Sequence, residues 1–91
     1  MSKRPLSMRQ KIARAMQHPD DWVCEIVYLT ERGERHRRTI SPIRWSNHKY
    51  SINAMCFARC EPRNFRVSRI ESLEMVRASE RMMPLDLEVL K

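Results

Sequence analysis

At 91 residues the chain is long enough for one domain with a modest core, and its 42% hydrophobic and 32% charged composition is that of a folded globular protein rather than a disordered one. The net charge of +7 and a pI near 10.0 favour an anionic partner, nucleic acid first, then a nucleotide or an acidic protein. No apolar run approaches the ~20 residues of a membrane span, and residues 1–20 hold no hydrophobic segment ahead of a cleavage site, so no membrane partner and a cytoplasmic location are expected.

Fourteen of the eighteen basic residues are arginine and four are lysine. A guanidinium is a planar fork that grips phosphate through two hydrogen bonds and stacks on bases, so this bias points to recognition more than to solubility. Cys24, Cys56 and Cys60 are odd in number and lack the paired spacing of a zinc site, which predicts reduced thiols and no metal.

In chain order, residues 7–18 read as a short helix. Ser7 is the N-cap, Gln10 completes a capping box, and Met8, Ile12, Ala15 and Met16 share one face, with Pro19 ending the run. Arg9, Lys11 and Arg14 lie opposite, as a solvated face. Residues 22–30 are apolar and β-branched, a strand covered on both sides, with Glu25 its only charge. Gly33, the only glycine, marks a hairpin turn, and residues 35–40 return with Arg35, Arg37 and Thr39 on one face and His36, Arg38 and Ile40 on the other.

Pro42 is expected to interrupt the ladder at an edge or a bend. Residues 43–45 and 49–57 form the next hairpin around Ser46, Asn47 and His48, with Tyr50, Ile52, Ala54 and Cys56 facing inward and Ser51, Asn53, Met55 and Phe57 outward. Residues 64–68 are a further strand, with Phe65 and Val67 in the core and Asn64, Arg66 and Ser68 outside. Arg69 and Ile70 turn a corner into a last short strand over 73–76. The expected architecture is mainly β: a small SH3-like or Sm-like barrel of about five strands over residues 22–79, with an N-terminal helix and linker over 1–21 and a tail over 80–91. Exposed Met82 and Met83 in that tail suit docking on a neighbouring chain.

The informative stretch is 54–70, which sets Arg59, Arg63, Arg66 and Arg69 among strand and core residues. Arg59 and Arg63 flank the turn marked by Glu61 and Pro62 and are expected to converge with Arg66 across a hairpin. With Arg38 they make a candidate anion site, with Trp45 and Phe57 as ring partners for a base; Tyr50 is assigned to core packing. Arg69, beside Ile70, is expected to bond backbone carbonyls, a structural role shared with Pro42, Phe65 and Ile70. The carboxylates form no paired constellation, the histidines have no nucleophile partner, and no glycine-rich loop is present, so neither catalysis nor a cofactor is expected.

Two stretches also carry a family resemblance. Arg38-Thr39-Ile40-Ser41-Pro42 is similar to an arginine-x-valine-x-proline strand end, and Cys56-x-x-Arg59-x-x-x-Arg63-x-Phe65-Arg66-x-x-Arg69-Ile70 fixes seven positions across fifteen residues. In these motifs, their order and their spacing, residues 22–76 resemble a WYL domain, the ligand-sensing module of many bacterial transcription regulators. The resemblance implies an Sm-like barrel whose exposed arginines bind a negatively charged ligand, usually nucleic acid or nucleotide. The tripeptide naming the family stands here as Tyr50-Ser51-Ile52, without its middle aromatic, and Ser68 replaces the usual aspartate before the arginine-isoleucine pair. The roughly twenty residues before Trp22 are too few for the winged helix-turn-helix that WYL proteins carry, so a free-standing sensor module is expected. The function expected is non-catalytic regulatory binding of single-stranded nucleic acid or a nucleotide. The alternative is a dimerisation or interaction module accessory to a larger regulator.

Overall fold

The computed structural model describes residues 5–81, so the expected docking methionines Met82 and Met83 lie outside the described residues, as does the tail beyond Arg81. Helix α1 spans Met8–Gln17. Its first turn is closed by the capping box, with the Gln10 amide donating to Ser7 Oγ at 3.1 Å and the Ser7 amide donating to Gln10 Oε1 at 2.8 Å. Pro19 keeps His18 out of helical geometry, and the helix stops one residue earlier. Ile12 and Ala15 are fully buried and fasten α1 onto the inner face of the sheet.

Five strands follow: β1 Trp22–Leu29, β2 Arg35–Ser46, β3 Ser51–Cys56, β4 Glu61–Arg66 and β5 Ile70–Arg77. They form one antiparallel sheet in the order β4-β3-β2-β1-β5. Alternation along each strand fixes one inner row. Ile40 stands opposite both Cys24 and Cys56, Ile26 opposite Leu73, and Ile52 opposite Phe65. Burying each of the fully enclosed isoleucines, 12, 26, 40 and 52, stabilises the fold by about 1.5–3 kcal/mol.

The expected barrel is a curled sheet without hydrogen-bonded closure, because β4 and β5 form no ladder. Side chains bridge the gap instead. The Tyr28 and Phe65 rings meet edge to face with centroids 5.2 Å apart, and the Arg66 amide donates to the Tyr28 hydroxyl at 3.0 Å. Since β1 and β4 are separated by two strands in the sheet, this contact requires strong curvature.

The residue expected to interrupt the ladder, Pro42, lies inside β2 and is fully buried. The pairing of β2 with β1 ends at Ile40, so at Pro42 only β3 is a partner. The register then slips between Pro42 and Arg44, which leaves Ile43 as the extra, exposed residue of a bulge. A second correction concerns Tyr50, expected inward but 66% exposed. Asn47, His48 and Lys49 all adopt positive φ (51°, 54° and 70°), so the chain turns before β3 begins and the inner-face alternation does not reach Tyr50. Strand β4 starts earlier than expected and takes in Pro62, tolerated because β4 is an edge. Val67 and Ser68 belong to a 3-10 turn (Val67–Arg69) rather than to the strand. Gly33 (φ 87°) closes the β1–β2 hairpin; a Cβ there would meet nothing within 4 Å, so backbone conformation alone demands glycine.

Candidate anion-binding cavity

The inner row of β2 is apolar at Ile40 and polar toward the start of the strand, at Arg38 and His36. On β1 the matching row ends in Tyr28, opposite His36. The β3–β4 hairpin brings Arg59 in its turn and Arg63 on the inner face of β4 to the same open end. A cavity of about 230 Å³ results. Tyr28 and Phe65 supply its rings, Thr30 and Asn64 its neutral polar groups, and Arg38, Arg59 and Arg63 its charge, with His36 and Cys56 completing the wall. None of these nine residues is acidic.

Arg38 is held from behind. Its Nη1 donates to the Arg37 carbonyl at 3.0 Å and its Nη2 to His36 Nδ1 at 2.9 Å. A guanidinium can only donate, so Nδ1 accepts, and the imidazole proton sits on Nε2, which donates to Glu34 Oε1 at 3.2 Å. Arg63 reaches Glu61 only at 4.0 Å, with both side chains about half exposed, a contact worth about 0–1 kcal/mol. Arg59 makes no ion pair or hydrogen bond among the described residues.

Arg66 does not join the other three. Arg63 and Arg66 differ by an odd number of positions on one strand and so project from opposite faces. Arg66 lines a separate concavity of about 530 Å³ with Arg9, Asn47, Tyr50, Ser51, Val67 and Ser68. Trp45 is half-buried against the core, beneath the Arg9 guanidinium at 5.7 Å, and Phe57 is half-buried in the β3–β4 turn; neither ring lines the Arg38 cavity. Pro42, Phe65 and Ile70 are buried, and Arg69 Nη1 donates to the Leu29 carbonyl at 3.4 Å.

Reasoning from sequence passed over Tyr28, Thr30, His36 and Asn64 as lining residues, and Arg9 as a neighbour of Arg66. Parity offered a signal for two of them, since Tyr28 shares the row of Cys24 and Ile26, and His36 shares that of Arg38. Burial pushes the Cys24 thiol up to about 12, partly offset by the charge of Lys11, so this core cysteine stays protonated and inert. Among the described residues no cluster of three histidine, cysteine or acidic side chains is placed to hold a metal ion, and no helix is long and apolar enough to cross a membrane.

The family model for the WYL domain matches residues 10–75, which takes in most of α1, β1 to β4 and most of β5. Among solved structures, the chain is similar to proteasome accessory factor B/C (PafBC) of Arthrobacter aurescens, at 27% identity and a TM-score of 0.60. That likeness covers 81% of this chain but 12% of the other, so the chain spans a small part of that protein's length. No curated protein matches it. With the match running through the helix, the curled sheet and the residues that wall the cavity, the chain belongs to the WYL domain family.

Proposed function

We propose that the cavity walled by Arg38, Arg59 and Arg63 binds an anionic ligand, single-stranded nucleic acid or a nucleotide, and that the chain acts as a non-catalytic regulatory module. The observation that carries this reading is the lining itself: three guanidiniums converge on one cavity that contains no carboxylate. Like charges gathered in a small domain oppose folding, and a ligand phosphate offsets that repulsion. Tyr28, half-buried, offers ring surface beside the charge, as a base requires. Membership of a family whose domains sense ligands for transcription regulators supports the regulatory part of the reading. In the cell the partner is then the nucleic acid or nucleotide, together with a larger regulator through which binding is reported.

The test is titration with a panel of oligonucleotides and nucleotides at two salt concentrations. Each phosphate neutralised on a single strand contributes a slope of about −0.7 in log affinity against log salt. Three arginines therefore predict a slope near −2, and an affinity indifferent to salt would refute the reading.

A further inference from the structure

The concavity that holds Arg66 has a composition of its own. Arg66 has no ion-pair partner among the described residues, and none of the seven lining residues is acidic. Arg9, from the first turn of α1, is fixed in place: its Nη1 donates to the Lys49 carbonyl at 2.6 Å and its Cζ lies over the Trp45 ring, 5.7 Å from the centroid. That leaves its remaining N–H groups for an outside acceptor. Tyr50 lines the same concavity as the two arginines and is 66% exposed, pushed out by the run of positive-φ residues before it. An aromatic ring presented to solvent in one concavity with two arginines, and no acid in the lining, matches the base and phosphate of a nucleotide: the ring stacks and the guanidiniums take the charge.

This patch and the first cavity both border the β3–β4 hairpin, at opposite ends. The Ser51–Arg66 pair stands at the Tyr50 end and the Cys56–Glu61 pair at the Arg59 end, five residues apart along the strand. At strand rise that is roughly 17 Å, or about five stacked nucleotides at 3.4 Å each. Between them β4 is the free edge of the sheet, with Arg63, Asn64 and Arg66 all exposed and Glu61 the only acid.

We propose that Arg9, Tyr50 and Arg66 form a second nucleotide site, and that a single strand runs along the β4 edge from the Arg38, Arg59 and Arg63 cavity to a base stacked on Tyr50. This rests on the function proposed above and extends it from one binding unit to a strand. It assigns Arg9, Tyr50 and Arg66 to contacts that add to those of the first cavity only when the ligand is long enough to reach both.

The experiment is fluorescence anisotropy with labelled oligothymidylates of two and ten nucleotides, at one low salt concentration. The wild-type chain is expected to bind the longer strand the more tightly. The Tyr50→Ala, Arg66→Ala double variant is expected to lose about tenfold or more on the longer strand and to stay within about twofold of wild type on the dinucleotide. Tyr50→Phe should retain the longer strand, since stacking needs the ring and not the hydroxyl. Both side chains are exposed, and the Arg66 contact to Tyr28 is made by its backbone, so an unchanged melting midpoint is expected and verifies folding. A double variant that binds the ten-nucleotide strand like wild type overturns the second site and leaves the first standing. Equal losses on both lengths show one undivided site and also overturn it. A wild-type chain that binds neither length overturns both readings. An oligoglutamate of matched charge is the competitor: displacement of the strand at equal concentration would make the patch a site for acidic protein and overturn the nucleotide assignment.

Discussion

The outer face of the sheet and its inner open end both carry arginines, and their surroundings differ. On the outer face three arginines are matched by carboxylates, whereas Arg66 is not. Arg37 and Arg81 both reach Glu25, at 3.5 and 3.2 Å, and Arg35 binds Glu71 at 2.6 Å. At the open end the lining has no acid, Arg38 is braced by a histidine and a carbonyl, and Arg59 has no partner among the described residues. Among the described residues these arginines thus divide into those tied to a carboxylate and those that present charge. What decides the division is where the few carboxylates fall, not how many arginines there are.

The strongest way to break this arrangement is to remove what keeps the sheet curled. Phe65→Ala deletes the ring that meets Tyr28 and is expected to cost about 3–5 kcal/mol, read by urea denaturation, enough to unfold much of so small a domain. The next test sets the two faces against each other. Arg59→Ala with Arg63→Ala should weaken single-strand binding about a hundredfold, while Arg35→Ala with Arg37→Ala, whose charges are already matched, should change it by about twofold or less.

A third test probes the core between the faces. The Cys24 thiol titrates near 9.0 in the unfolded chain and near 12 when buried, so in that window the unfolded state holds fewer protons and stability falls as pH rises. Cys24→Ala should flatten this alkaline decline, and a maleimide should label exposed Cys60 quickly while Cys24 and Cys56 react only on unfolding. The smallest effect is expected from Glu25→Gln. It removes the acid shared by Arg37 and Arg81, costs about 1 kcal/mol or less, and should add weak, salt-sensitive anion binding on the outer face.

Much of this organisation was legible in local pattern. Ser7 and Gln10 announced the capped helix, Gly33 the first hairpin, and the alternation of residues 35–40 put Arg38 on the inner row with Ile40. The grouping of the arginines was less accessible. Placing Arg66 with Arg63 neglected the two-residue period of the strand that carries both, and Tyr50 was assigned to the core because the turn expected at Ser46, Asn47 and His48 runs on in left-handed geometry through Lys49.

Composition, capping and alternation follow from neighbours a few residues apart, and these specified a capped helix, a mostly antiparallel chain of short strands and an excess of guanidinium charge. Which charges stay unpaired depends on contacts across tens of residues, such as Arg81 with Glu25 or Tyr28 with Phe65. The second of these exists only once the sheet has curled. The curl leaves Arg38, Arg59 and Arg63 around one cavity and sends Arg66 to another.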